Sequence, residues 1–251
     1  MAKSESKADF RAGIRSSLIN LSTILERFKL CKDTSMLRGI NIPESGERWA
    51  YEVNNLKIEL GDDSRTSPEV EGLYCVLDIV IEGVYPSEDV ADLIKRGGVQ
   101  FRFVGLEERE GDYVSRQHCW HHDRHEFLDG NSGEEDALSC AHPLYHLTYG
   151  GKHMKALYKD DRNAFGSLFV ADAFRVTQPP MDVVLAVDFV VSNFSKKGWA
   201  DLLDSTLYQK SLSWSQKQFW KPYYSSIGKF WDEDCDKSAS EVARGLVPQL
   251  V

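Results

Sequence analysis

Histidines are concentrated in one short part of this chain. All seven lie between His118 and His153, with a dense run at 118–125 and a second pair at His142 and His146. Imidazole is a common metal ligand and the side chain that titrates nearest to neutral pH. Three interpretations follow: a metal or acid–base site, a thiol nucleophile beside an imidazole, or hydrogen-bonded sheet histidines without chemistry.

The spacing within the dense run shows which of its side chains could act together. Tyr113, Val114 and Trp120 favour a strand here over a helix. Successive side chains of a strand point to opposite faces. One face then carries four potential ligands, which are Cys119, His121, Asp123 and His125. The other face carries His118, Trp120 and His122.

A second predicted strand, at 143–149, follows a glycine-rich and acidic loop at 129–139. If the two strands pair, opposite side chains on one face come within reach of a common ligand. We therefore expect at least two of His121, Asp123 and His125 to share a face with His142 or His146. The candidate catalytic residues are His121, Asp123, His125, His142 and His146. The candidate ligands of a divalent metal that activates water are His121, Asp123, His125 and His146.

The thiol interpretation rests on Cys119 or Cys140, because a neighbouring imidazole can lower the pKa of a thiol. Known motifs limit the metal interpretation. The sequence contains no His-Glu-x-x-His, no paired Cys-x-x-Cys and no phosphate-binding glycine loop. Neither a zincin, nor a common structural zinc site, nor a bound nucleotide is indicated. No cofactor is predicted, and a divalent metal belongs to the hydrolase hypothesis alone.

The elements that must position these residues follow from hydrophobic periodicity. Residues 8–30 carry an apolar stripe at helical spacing, and 47–150 alternate as strands do. Residues 180–232 are predicted to be helical and rich in aromatic side chains, and 233–251 to be a loose tail. We expect one α+β domain over 1–232, an antiparallel sheet with an N-terminal covering helix and a C-terminal helical subdomain.

Aromatic residues crowd the C-terminal part and alternate with lysines. They could fill the core between helices, anchor a protein partner or stack on unpaired bases. A protein partner is the favoured ligand, with nucleic acid as the weaker alternative. The candidate partner-binding residues are Trp214, Trp220, Tyr223, Tyr224 and Trp231.

Composition narrows the class of protein. The 251 residues include 39 acidic and 30 basic side chains, and the net charge of −9 argues against a surface built for nucleic acid. Thirteen acidic and three basic residues fall between 44 and 92, so the middle of the chain is acidic. No apolar run is long enough to span a membrane. Five widely spaced cysteines predict reduced thiols and a cytoplasmic location.

Three segments resemble a family of bacterial proteins of unknown function that are often encoded near mobile-element and phage-defence genes. They are His142-Pro143-Leu144-Tyr145-His146-Leu147 with Gly150, the aromatic and histidine-rich run Trp120-His121-His122-Asp123, and a proline-opened apolar helix from Pro180 to Phe194. The resemblance covers roughly a third of the chain. It implies a cellular context and no particular reaction.

Two functions from different classes remain. The first is a cytoplasmic bacterial accessory protein that binds another protein, in a phage-defence or mobile-element system. The second is a metal-dependent hydrolase or nuclease centred on the histidine strands. The sequence leaves open whether the chain is an enzyme.

Overall fold

The computed structural model describes residues 6–43, 46–61, 66, 69–87, 90, 92–124, 143–150, 175–232, 236–247 and 250. These residues form an antiparallel sheet packed against helices from both ends of the chain. The predicted α+β class, with its N-terminal helix and C-terminal helical part, is confirmed.

The sheet is a six-stranded meander in which every strand pairs with its neighbours in sequence. Consecutive antiparallel strands need only short turns, and the hairpin between the third and fourth strands turns at Glu110 and Gly111, both with positive φ. The strands are β1 (Arg48–Glu59), β2 (Glu71–Val84), β3 (Ile94–Arg109), β4 (Asp112–Arg124), β5 (Tyr145–Tyr149) and β6 (Arg175–Thr177).

Several helices begin at a side chain that caps them. Ser6 accepts a hydrogen bond from the Asp9 backbone N–H at the start of α1, and Asp182 accepts one from Leu185 at the start of α3. The α-helices are α1 (Lys7–Arg27), α2 (Ser35–Arg38), α3 (Val183–Phe194), α4 (Lys196–Leu203), α5 (Thr206–Ser215), α6 (Lys221–Gly228) and α7 (Lys237–Leu246). A π-helical turn, Gln216–Trp220, joins α5 to α6.

One face of the sheet carries the core. A row of paired side chains on this face runs Leu77, Phe101, Trp120 and Tyr149 from β2 to β5. We call it the helix-covered face, because Phe10 of α1 packs on Trp49 and Phe189 of α3 packs on Phe101. The opposite face, here the second face, carries the row Asp78, Gln100, His121 and Thr148.

A bulge in β1 preserves this division. The pairing with β2 shifts between Val53 and Leu56, where Asn55 adopts φ 57°. Asparagine tolerates this left-handed conformation better than most residues. Val53 and Leu56 are both fully buried, so the inserted residue returns the apolar side chains to the helix-covered face.

The structure corrects two boundaries. The segment 233–251 was expected to be a loose tail, but Lys237–Leu246 is a helix capped by Asp236, and Leu246 packs in the core. The sheet was expected to end by 150, but β6 adds a short strand at Arg175–Thr177. Within the described ranges, no helix is both long and apolar enough to cross a bilayer.

Candidate metal site

Strand β4 divides the histidines between the two faces of the sheet. His121 and Asp123 project from the second face, whereas His118 and His122 project from the helix-covered face. The division follows from pairing, because His122 is opposite Val99 and Leu147, both of which are in the core. The strand alternation predicted for this run is therefore present.

Two cross-strand pairs make a square of side chains on the second face. Asp123 of β4 is directly opposite His146 of β5, and His121 is directly opposite Thr148. Side chains opposite each other lie about 4.5–5.5 Å apart at Cβ, and diagonal neighbours about 7–8 Å apart. Three corners of the square carry metal-ligand side chains, and the fourth carries a hydroxyl.

The three ligand side chains converge. The Nε2 atom of His121 lies 3.0 Å from Oδ2 of Asp123. One ligand atom each from His121, Asp123 and His146 fall within 4.8 Å of one another. A tetrahedral ion bound at about 2.1 Å holds its ligand atoms about 3.4 Å apart. Small side-chain rotations would therefore close the group around an ion.

The tautomer of His146 suits a metal ligand. Its Nδ1 lies 3.3 Å from the backbone oxygen of Pro143, which can only accept a hydrogen bond. Nδ1 therefore carries the proton, and Nε2 carries the lone pair of the neutral ring. Ligating histidines commonly donate their other N–H to a carbonyl in this way, which fixes the ring.

The surroundings of Asp123 favour its ionised form, the carboxylate. Its burial alone would raise its pKa, but the hydrogen bond with His121 and the positive charge that the neighbouring imidazoles carry when protonated outweigh burial. The pKa of Asp123 is consequently below its ordinary value. Gly98 of β3 lies opposite Asp123, and a Cβ there would be 3.0 Å from Asp123 Oδ1. The glycine leaves the space that this carboxylate occupies.

Two polar atoms of the square have no hydrogen-bond partner in the part of the chain that the structure describes. They are Nδ1 of His121 and Oγ1 of Thr148, and both are buried. Buried polar atoms in native proteins almost always have a partner, so such exceptions point to a missing water, ion or ligand. Access to the site exists, because 39% of the Asp123 side chain is exposed.

The remaining described histidines have other surroundings. His122 is buried, stacks on Tyr145 and donates from Nε2 to the Pro179 oxygen, 3.1 Å away. Burial is the main reason that its pKa falls to about 4, so its ring is neutral at pH 7. His118 lies in an aromatic cluster with Tyr149 and Trp120. Structural packing explains the buried His122, whereas His118 is exposed and lies on the face opposite to the three converging side chains.

Two of the five predicted site residues, His125 and His142, lie outside the described residues. His121, Asp123 and His146 are the three that the structure brings together. Of the candidate thiols, Cys140 also lies outside the described residues. Cys119 is buried, and burial raises the pKa of its thiol. The structure therefore contradicts an activated Cys119, because a nucleophilic cysteine needs a lowered pKa.

The aromatic residues predicted to bind a partner fall into two groups. Tyr223 is buried and is therefore not available to a partner. Trp214 and Trp220 are partly buried and pack against the core. The surface prediction was wrong for Tyr223, because its ring fills the space beside Tyr145. Tyr224 and Trp231 are 52% and 66% exposed and remain candidates.

Sequence reasoning missed Thr148 and Gly98. Neither residue type suggests chemistry alone, and their relation to the site depends on strand register. One signal was available: Thr148 follows His146 at strand spacing and so shares its face. Protein-family models, curated protein sequences and solved structures gave no match to this chain. The functional argument therefore rests on geometry.

Proposed function

We propose that the chain is a metal-dependent hydrolase whose divalent ion is held by His121, Asp123 and His146. The observation that carries the proposal is the convergence of one ligand atom from each of these three side chains within 4.8 Å. Two imidazoles and one carboxylate are a donor set of catalytic zinc and non-haem iron sites. Three protein ligands leave a coordination position for water, which the ion activates for attack.

The neighbourhood on β3 favours anionic substrates such as phosphate esters. Arg96 and Arg102 are exposed and flank Gly98 and Gln100 on the same face of β3 as the site. Glu82, the cross-strand neighbour of Arg96, pairs with Arg48 at 2.8 Å. Guanidinium groups bind phosphate oxygens bidentately. The two arginines therefore make this part of the surface locally positive, although the net charge of the whole chain is −9.

Metal content tests the proposal first. We would purify the protein without a polyhistidine tag and measure binding of Zn²⁺, Mn²⁺, Co²⁺, Ni²⁺ and Fe²⁺ by calorimetry and elemental analysis. The expected result is one equivalent of ion, with His121→Ala and His146→Ala each weakening binding at least tenfold. His118→Ala is the matched control, because His118 lies on the same strand and the other face.

Hydrolysis is then measured with three chromogenic substrates: a phosphodiester, a phosphomonoester and a carboxylic ester of p-nitrophenol. We expect metal-dependent release of p-nitrophenol from a phosphate ester, lost in His121→Ala and kept in His118→Ala. Failure of every ion to bind the wild-type protein would refute the proposal. Binding without hydrolysis of any ester would leave a metal site and remove the hydrolase.

A second candidate function is binding to a partner protein, and the exposure of Tyr224 and Trp231 favours it. Large aromatic side chains dominate the energetics of protein interfaces. Under this second proposal, the chain acts as a cytoplasmic bacterial accessory protein in a phage-defence or mobile-element system. The described cysteines Cys31, Cys75 and Cys119 are free thiols, which supports the cytoplasmic part of the proposal.

The partner candidate has its own test. Affinity purification from a native host should recover a stoichiometric protein with the wild-type chain and lose it with Tyr224→Ala plus Trp231→Ala. The matched control is Tyr113→Ala, since Tyr113 is equally exposed but lies at the far end of β4. Equal recovery by all three proteins would exclude this aromatic surface as the binding site.

A further inference from the structure

We infer that Thr148 positions the exchangeable water of the metal site, through a hydrogen bond from its hydroxyl to the water oxygen. This inference rests on the proposed metal site. Thr148 is not one of the three ligands, and neither its residue type nor a sequence motif identifies it as part of a metal site. Its basis is the place of Thr148 in the sheet and the state of its hydroxyl group.

The place of Thr148 is fixed by strand register. It is directly opposite His121, and it follows His146 by two residues on the same face of β5. The ligands His121, Asp123 and His146 thus occupy three corners of a square, and Thr148 occupies the fourth. A water molecule on an ion held by these three ligands would then lie beside the Thr148 hydroxyl at the fourth corner.

The hydroxyl of Thr148 lacks a hydrogen-bond partner among the described residues, and a water molecule bound to the ion would supply one. Thr148 is only 7% exposed, and its Oγ1 is buried with no hydrogen-bond partner among the described residues. A valine would fill the same volume without leaving a polar atom unsatisfied. The hydroxyl has a donor to offer and lies next to His121, whose Nδ1 is also unpartnered. A water molecule at the open corner satisfies the threonine.

The chemistry assigned to Thr148 is a hydrogen bond and no covalent step. Binding to the ion acidifies the water, which loses one proton to solvent and becomes hydroxide. The Thr148 O–H donates to the hydroxide oxygen and stabilises it by a charge-assisted hydrogen bond. In hydrolysis this oxygen forms the new bond to phosphorus or carbon as the bond to the leaving group breaks, and the leaving group takes a proton from solvent. Thr148 keeps its own proton throughout.

The test uses cobalt, whose visible spectrum reports the protonation of its water ligand. We would load the full-length protein with Co²⁺ and titrate the spectrum with pH for the wild type, Thr148→Val and Thr148→Ser. Thr148→Val should bind Co²⁺ within about threefold of wild type. Its spectral midpoint should rise by about one pH unit, which corresponds to a tenfold weaker acid. Thr148→Ser should restore the wild-type midpoint.

The outcomes separate this inference from the proposed function. If Co²⁺ does not bind the wild-type protein, the metal site itself is wrong and the inference falls with it. If Co²⁺ binds and His121→Ala abolishes binding, but Thr148→Val leaves the midpoint unchanged, the metal site stands and the role of Thr148 is wrong. Urea unfolding of the metal-free variants checks that each protein is folded. A structure of the cobalt-loaded protein should show an oxygen between the ion and Oγ1 of Thr148.

Discussion

Replacing Asp182 by asparagine should make the protein more stable at neutral pH and leave its stability unchanged near pH 4. Asp182 caps α3 with its side chain fully inside the protein. Its Oδ1 accepts from Leu185 N at 2.9 Å, and its Oδ2 accepts from Ser215 Oγ at 2.6 Å. Burial nevertheless outweighs these hydrogen bonds and raises the pKa of Asp182 to about 6.

The sign of the pH effect follows from linkage. The reference pKa of an aspartate is 3.8, so between about pH 4 and 6 the folded protein binds more protons at Asp182 than the unfolded chain. The stabilisation from the protonated carboxyl is full below about pH 4 and is lost as the pH rises to about 6. A shift of about two units amounts to about 3 kcal/mol. Asparagine keeps an oxygen for Leu185 and offers an N–H to Ser215, without a charge.

Urea unfolding at pH 4, 5, 6 and 7.5 measures the free energy of unfolding of both proteins. The gain for Asp182→Asn should grow from near zero at pH 4 to about 2–3 kcal/mol at pH 7.5. Asp204→Asn, at an exposed aspartate, is the control and should show no such trend. A difference that does not change with pH, or an Asp182→Asn protein that is less stable at pH 7.5, would refute the reasoning.

Four further predictions concern the site and the packing. Gly98→Ala should weaken metal binding about tenfold in calorimetry, because its Cβ would stand 3.0 Å from Asp123 Oδ1 and displace the carboxylate; an unchanged affinity would contradict the role of Gly98 in making room for this carboxylate. His122→Ala should lower Tm by about 5–10 °C, since removing a buried ring costs about 2–4 kcal/mol. His121→Ala should lose function with a much smaller change in Tm, whereas His146→Ala should lose function and also lower Tm, because His146 is as buried as His122; a large loss of Tm in His121→Ala as well would identify both as core residues. Gly13→Ala should destabilise α1 by about 1–3 kcal/mol in urea unfolding, because its Cβ would come within 2.5 Å of Trp214 and this overpacking exceeds the gain of about 1 kcal/mol in helix propensity. Equal or higher stability of that variant would show that Trp214 can move aside.

The sequence was sufficient for the fold class and for the three candidate ligands, but not for their neighbours Thr148 and Gly98. Alternation along β4 separates His121 from His122, and the proximity of two neighbouring strands brings His146 to Asp123. Both inferences use only periodicity and the tendency of consecutive strands to pair. They could not say which of the two adjacent histidines faces helices, because either face of a lone strand can be the buried one.

What the sequence could not supply depends on register and on remote packing. Thr148 opposes His121 only in the register that the sheet adopts, and a slip of one residue would put Thr148 on the other face. The helix Lys237–Leu246 was missed for another reason, since its signal is present in the sequence: Asp236 caps it, and Ala239, Val242, Ala243 and Leu246 recur at helical spacing. Leu246 packs in the core, and its backbone oxygen accepts from Leu144 N.

The alternation of β4 side chains between the two faces of the sheet also determines which mutations of this strand are tolerated. Neighbouring codons of this strand serve opposite faces, so selection acts on them for different reasons. In a saturation scan, changes at 120 and 122, whose side chains pack on the helix-covered face, should reduce protein abundance, and most strongly at the buried position 122. Changes at 121 and 123 should reduce activity at nearly constant abundance. An in-frame insertion or deletion of one codon would exchange these roles along the rest of the strand, so this strand is expected to evolve by substitution and not by insertion.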